Sequence, residues 1–380
     1  MSAEPLRLPP PVGGRVDLLI VAAEHSGDEH AARMVRDLRA LRPELAIAAL
    51  GGPRLQAAGA QLLRDLTVSS AMGFAVIAKI SYYRALIAEI VRWIGEHRPR
   101  AVCFVDSSGL NLRIAKELFA RGFSAKAGGA TKALYYISPQ IWASRAGRRF
   151  AMAQHLDGLA SIFPFEQSVY ADTALPVEFV GHPFLAADHA APVRFDPNGP
   201  VLLLPGSRRG PVSRIFPVLL AAFRDYGRAR EAVVLYPSDE ILGTLRAANP
   251  PENVKLVRIG HEPVGAAAVL TSSGTMSMQC ALAGIPGAVT YRTDPLTYFL
   301  GRMIVKVKFI GIANLLLGEA MYPEYVQGAA TPAALAAELR ACLEDPARQE
   351  RTAEQARRLR TLLSQPANGS AAEWLSRQLG

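Results

Sequence analysis

Cysteine is scarce in this chain of 380 residues: Cys103, Cys280 and Cys342 lie far apart, are odd in number and form no CxxC pair. A disulfide framework is thereby excluded, no zinc spacing is present, and a reducing compartment fits. The seven histidines show neither HxxxH nor HExxH spacing, so no metal site is expected. Long apolar runs are missing too. The stretches Met72 to Ile80 and Tyr298 to Leu317 are broken by Lys79, Arg302, Lys306 and Lys308, whereas a spanning helix needs roughly 20 clean apolar residues. Any meeting with a membrane would be peripheral. The opening MSAEPLRLPPPVGG is Pro-rich, lacks the apolar centre of a signal peptide and reads as a disordered lead over residues 1–14. There is no internal repeat, no RNP-like aromatic series and no recognisable helix-turn-helix, which argues against a nucleic-acid partner.

What is present is a large interior. Half of the residues are hydrophobic and 20% are charged, so the chain is globular, and its 380 residues suit two domains. The formal charge of +9 suits an anionic partner, whether nucleic acid, lipid surface or phosphorylated substrate, without choosing among them.

Short apolar runs recur between helical stretches at 16–24, 45–52, 101–109, 133–138, 159–166 and 177–183. They are continuous, without period-two alternation, which predicts parallel strands covered by helices on both faces. After a Pro-, Asp- and Asn-bearing stretch at 186–200 the rhythm restarts at 201–207, 232–238, 254–260, 268–274 and 288–292. The expected fold is α/β, with two Rossmann-like doubly wound parallel-sheet domains (15–185 and 186–345) facing a central cleft. A helical tail at 346–380 would follow, packing back on the N-terminal domain or on a partner. In such folds ligands sit at the carboxyl ends of the strands.

Three strand-to-helix junctions carry the chemistry. Ser26, Gly27 and Asp28 follow the first strand before a helix expected near Glu29; they read either as a cap with a turn glycine or as amides offered to an anion or sugar hydroxyl. The turn Leu204 to Gly210 adds two guanidiniums, Arg208 and Arg209, to Ser207 and to the amides of a helix start, a combination suited to a diphosphate. Ser272, Ser273, Gly274 and Thr275 form a second hydroxyl and amide cluster before another helix. Asp106, at the end of a strand, is either a loop cap or a general base placed to take a proton from an attacking alcohol. His182 before Pro183 reads as a hinge residue rather than a ligand. On the helix from Tyr82, the face of Tyr83, Leu86, Ile87, Ile90, Val91 and Ile94 suits core packing or an apolar, cation-flanked lipid surface.

Taken together, several motifs resemble the lipid-A-disaccharide synthase family: AAEHSGD at 22–28, GGPRLQAAG at 51–59, MGF at 72–74, VDSSGLNLRIAK at 105–116, YYISPQIWASRAGR at 135–148, FPFE at 163–166, FVGHP at 179–183, LLPGSRRG at 203–210, SSGTMSMQCALAGIP at 272–286, and the series from YRTDPLTYFL at 291 through ANLL to PEYVQ at 323–327. The resemblance implies the GT-B architecture and an inverting, metal-free and cofactor-free transfer. A diacylglucosamine unit passes from UDP-2,3-diacylglucosamine to the 6-hydroxyl of 2,3-diacylglucosamine 1-phosphate, giving a β-1,6-linked disaccharide and UDP. On that template Asp106 is the base and Arg208 the phosphate-contacting arginine. Ser207, Arg209, Ser272, Ser273, Gly274, Thr275 and Gln279 bind UDP, while Ser26, Gly27, Asp28, Asn314, Glu324 and Gln327 contact substrate or close the site. The resemblance also implies a peripheral protein on the cytoplasmic face of the inner membrane, and it is compatible with a homodimer. The chain departs from the pattern at Gly109, where a second Asp is usual, at Gln279, usually Glu, and at Ala23, Ser144 and Pro211. A diverged UDP-sugar transferase or epimerase on the same fold, or an inactive homologue, is the alternative those departures raise.

Overall fold

Leu18, Leu19, Ile20 and Val21 are all buried, a pattern that a strand reaches only when both faces of its sheet are covered. The computed structural model describes residues 6–67, 76–227, 230–260, 262–294, 298 and 308–380. These fall into two units, Met1–Pro183 with Gln365–Gly380, and Phe184–Ser364. Among the described residues the first unit contains β1 (Leu18–Val21), β2 (Ile47–Gly51), β3 (Gln61–Asp65), β4 (Ala101–Val105), β5 (Lys132–Tyr136), β6 (Gly158–Ser161) and β7 (Val177–Phe179). They form one parallel sheet in the order β3-β2-β1-β4-β5-β6-β7. The order reverses between β1 and β4, which makes the carboxyl ends of these two strands a topological switch point.

Helices flank this sheet for readable reasons. His25–Leu41 buries Ala31, Met34, Val35 and Leu38, spaced three and four apart. The helix Val76–His97 places Leu86, Ile87, Ile90, Val91, Trp93 and Ile94 in the core with Val21, Phe104 and Tyr135. Of the two readings of that face, core packing is the one found for these side chains. Ala371–Leu379 begins at a capping box, in which Glu373 N–H donates to Ser370 Oγ (3.2 Å) and Ser370 N–H to Glu373 Oε2 (2.7 Å). It buries Trp374 and Leu375 and packs on His25–Leu41.

The second unit repeats the plan. After β8 (Val193–Phe195) come β9 (Val201–Leu204), β10 (Ala232–Tyr236), β11 (Val254–Arg258), β12 (Val264–Ala266), β13 (Ala268–Ser272), β14 (Gly287–Tyr291) and β15 (Glu324–Val326). Six of them form a parallel sheet, β11-β10-β9-β13-β14-β15, and β8 pairs with β12. Here the switch point lies between β9 and β13. Phe216, Leu219, Leu203, Leu270 and Leu339 share its core.

Four expectations change. Residues 6–14 are packed, not a disordered lead: Leu8 is buried and its N–H donates to Glu89 Oε1 (2.7 Å), while Pro9 C=O accepts from the Trp93 indole (2.9 Å). Side-chain donors and acceptors satisfy a Pro-rich backbone that cannot build its own ladder. The expected tail also divides, because Pro346–Leu363 belongs to the second unit and only Gln365–Gly380 joins the first. The helix expected near Glu29 starts at His25, so Ser26, Gly27 and Asp28 form its first turn. Strands β3, β8, β12 and β15 went unread; they are short or half-exposed and carry no continuous apolar run. The expectations for MGF at 72–74 and for most of 295–307 lie outside the described residues.

Candidate active site

At the switch point of the first unit the His25 helix starts against the sheet, with Gly27 in its first turn beside Val105 and Ala22. A Cβ there would stand 3.5 Å from the Val105 carbonyl and 3.7 Å from Ala22 Cβ. Asp28, expected at substrate, is 2% exposed and accepts from the backbone N–H groups of Gly52 (2.8 Å), Arg54 (3.1 Å) and Leu55 (3.2 Å). Its carboxylate caps the next helix, Pro53–Ala57, across the chain and fixes the loop after β2. Asp28→Ala should leave two buried donors, Gly52 and Leu55 N–H, and the part-buried Arg54 N–H without this acceptor, and lower unfolding free energy by about 2–3 kcal/mol. Urea melts would check this, and an unchanged midpoint would remove the clamp from the account.

Asp106 follows β4, half-buried, with φ of 50°, and Ser107 follows it at 43°. Two successive non-glycine residues in the left-handed region are strained, a state that persists where surrounding contacts fix it. Those contacts are visible. Asp106 C=O accepts from the Tyr135 hydroxyl and from Asn111 Nδ2 (2.8 Å), and Asp106 N–H donates to Tyr136 C=O (3.1 Å). Burial drives the Tyr135 pKa far above its usual value, with Asp106 adding to the rise, so the phenol remains a donor. Ser107 Oγ is buried, with no hydrogen-bond partner among the described residues. Gly109, where a second Asp was the usual residue, faces open space, with nothing within 4 Å of an added Cβ.

Strain continues at the next strand end, where Ile137 has φ of 65°, an outlier for a β-branched residue. The loop after β5 is tied down by Ser138 Oγ to the Tyr170 hydroxyl (2.8 Å) and by the Trp142 indole N–H, which donates to Glu166 Oε1 (3.2 Å). Glu166 is fully buried and also accepts from Phe163 N–H (3.2 Å). Burial pushes its pKa up to about 8 against those hydrogen bonds. Trp142 meets Phe165 edge-on at 5.0 Å, and Phe163 stands between Phe165 and His182. His182 is thus a buried packing residue at the end of the first unit.

In the second unit the turn after β9 needs its glycine: Gly206 has φ of 117°, and a Cβ there would lie 3.2 Å from Ser272 Oγ. That close approach sets the Ser207-Arg208-Arg209 turn beside the Ser272-Ser273-Gly274-Thr275 turn, across the β9–β13 switch point. Arg208 is the N-cap of the helix Arg209–Tyr226, and Thr275 opens the helix Thr275–Leu282. Two helix starts thus lie side by side at this switch point, one preceded by Arg208 and opened by Arg209 and the other opened by Thr275. Gln279 is buried, with Oε1 3.0 Å from His189 Nε2, and His189 stacks on Phe184. The amide oxygen of Gln279 accepts a hydrogen bond from the Nε2–H of that ring.

Glu324 and Asn314 are tied to this turn through Ile310, whereas Gln327 holds a different segment, at Thr293. Glu324 accepts from Ile310 N–H (2.8 Å) and Gly311 N–H (2.9 Å) and from Asn314 Nδ2 (2.8 Å). Asn314 also pairs with both backbone groups of Tyr322. Ser273 Oγ donates to Ile310 C=O (2.8 Å), which links this network to the turn at 272–275. Gln327 clamps Thr293 from both sides, at 3.1 Å each way. At the carboxyl ends of β10 and β11 lies a cavity of about 360 Å³, lined in part by Leu235, Val257, Arg258, Ile259 and Gly260, which no sequence motif marked.

Solved structures share this plan. The calicheamicin glycosyltransferase CalG4 matches with a TM-score of 0.57 at 15% identity, over 96% of this chain and 99% of its own. UDP-GlcNAc 2-epimerase from Neisseria meningitidis, bound to UDP-GlcNAc, matches with 0.59 at 12% identity, over 95% and 99%. The fold and its two switch points define a protein of the GT-B class. The lipid-A-disaccharide synthetase pattern matches residues 18–378, and the lipid-A-disaccharide synthase of Geobacter metallireducens is 34% identical over 360 residues, 88% of this chain and 90% of that protein. The chain belongs to the lipid-A-disaccharide synthase family. It is a glycosyltransferase of lipid A disaccharide synthesis.

Proposed function

We propose that the chain joins UDP-2,3-diacylglucosamine to 2,3-diacylglucosamine 1-phosphate with inversion, Asp106 acting as base and the paired turns of the second unit holding UDP. The observation that carries this is the approach of Gly206 to Ser272, which supports a cradle of two helix starts and two arginines for a departing diphosphate. As the acceptor O6 bonds to the donor C1, the C1–O bond to phosphate breaks. The hydroxyl proton goes to the Asp106 carboxylate and the electron pair to the UDP oxygen, beside Arg208 and Arg209. The apolar cavity after β11 suits the uracil ring. In this reading Asn314, Glu324 and Gln327 act by shaping the backbone around Ser273, and Asp28 by fixing the loop beside Gly27. Acylated substrates and a charge of +9 favour peripheral work on the cytoplasmic face of an anionic inner membrane. Among the described residues no helix is long and apolar enough to cross one.

Single-turnover assays with the two named substrates test the reaction through the appearance of UDP and disaccharide together; an epimer of the donor sugar as the product would replace the transferase reading. Arg208→Ala should weaken UDP roughly 10- to 100-fold in calorimetric titration, the range for one hydrogen bond to a charged group. Unchanged UDP affinity would take Arg208 out of the cradle.

A further inference from the structure

The donor diphosphate has a cradle in the second unit, but the acceptor carries a phosphate of its own, and no residue of the reading above meets it. The loop after β5 supplies two unneutralised guanidiniums. Among the described residues neither Arg145 nor Arg148 has an ion-pair partner, whereas their neighbour Arg149 is held bidentately by Asp172 at 2.7 and 2.6 Å. Arg148 N–H donates to Arg145 C=O (2.9 Å), so the two side chains leave one tight turn. Arg148 is half-buried, and burial, with the neighbouring charge of Arg145 as the next cause, lowers its pKa.

Placement adds the connection to chemistry. Arg148 lies within electrostatic reach of Tyr135, and the Tyr135 hydroxyl donates to the backbone of Asp106. The pair therefore stands on the Asp106 side of the first unit, at the carboxyl edge shared by β4 and β5. Its loop is also held in shape. Arg145 itself is left-handed with φ of 58°, and three residues earlier Trp142 is hydrogen-bonded to the buried Glu166. Two planar forks leaving one fixed backbone turn match the oxygens of a phosphate monoester.

We infer that Arg145 and Arg148 form the subsite for the 1-phosphate of the acceptor sugar, which orients the 6-hydroxyl toward Asp106, with Trp142 and Glu166 positioning the loop. This rests on the acceptor being a sugar 1-phosphate, as proposed above.

The test compares wild type, Arg145→Gln, Arg148→Gln and the double variant, with Arg149→Gln as the control on the same helix. Each is assayed with the phosphorylated acceptor and with its dephosphorylated counterpart. Binding of both acceptors is measured separately by competition, and adsorption to anionic phospholipid vesicles is measured without substrate. The expected result is a rise of about 10- to 100-fold in KM for the phosphorylated acceptor in the Arg145 and Arg148 variants. Their preference for it over the dephosphorylated form should fall toward unity, with UDP affinity and the Arg149→Gln preference unchanged. Equal loss on both acceptors together with lost vesicle adsorption would overturn the inference and make the pair a headgroup contact. Wild-type preference retained in the double variant would overturn it as well. If wild type bound the phosphorylated acceptor selectively through the pair but formed no disaccharide, the proposed reaction would fail and the subsite would stand. No phosphate-dependent binding by wild type would remove the subsite.

Discussion

Asp106→Asn is expected to lower the single-turnover rate of disaccharide formation by about 100- to 10,000-fold, the usual contribution of a general base. UDP affinity should stay within about twofold, because no step of UDP binding uses the carboxylate. Asparagine is the informative replacement because position 106 has φ of 50°, and Asn is among the few residues at ease in the left-handed region. The clamp from the Tyr135 hydroxyl and Asn111 acts on the backbone carbonyl and survives the change. Asp106→Ala should add a stability loss of about 1 kcal/mol, since alanine there meets the left-handed penalty without the compensation of a short polar side chain. A rate within about tenfold of wild type in the Asn variant would move the proton acceptor elsewhere.

Glu166→Gln should remove a pH dependence of stability that the wild type carries. The carboxyl is fully buried, and its pKa rises in the folded state from 4.5 to about 8, with burial as the largest cause. Between these values the unfolded chain has released the proton while the folded chain retains it. Ionisation therefore favours the unfolded state, and stability falls as pH rises from about 4.5, levelling off above about 8. The slope is about 1.4 kcal/mol per pH unit, for a total on the order of 4 kcal/mol. The group facing Glu166 most directly, Tyr170, is itself driven toward its neutral form by burial and does not compensate. Glutamine is neutral at every pH, and its amide oxygen still accepts from Trp142 and Phe163. Chemical denaturation of the variant should give a flat profile over this window, with a gain over wild type of several kcal/mol at pH 8 and near equality at pH 4.5. Parallel profiles for the two proteins would show that Glu166 ionises normally in the fold.

The sheets were legible to the extent that their strands are buried on both faces. AVCFV at 101–105 and VLLL at 201–204 read as strands because every residue is apolar and every residue is buried. QLLRD at 61–65 alternates weakly on a sheet edge, and EYV at 324–326 carries Glu324 within it, so neither shows the continuous run that marks an interior strand. The packed segment 6–14 escaped for a related reason. Its order depends on Glu89, Trp93 and Gln61, which lie far away in sequence.

At the site the division is chemical. Residue type and position after a strand nominate Asp106, Arg208 and the turn at 272–275 as candidates, because a carboxylate, guanidiniums and helix-start amides declare their chemical capacity locally. The sequence by itself thus determined two parallel α/β units, the absence of a disulfide framework, and the groups able to handle a proton and a diphosphate. Only the tertiary structure decided what each of those groups faces. It turned Asp28 into a cap for a distant helix, bound Gln279 to His189, made Glu324 the anchor of Ile310 and Gly311, and gave Arg149 a carboxylate partner while Arg145 and Arg148 have none among the described residues. The reason is physical: hydrogen bonds and ion pairs act over a few ångströms, and the partners that determine a side chain's role are brought within that range by strand order and packing rather than by sequence spacing.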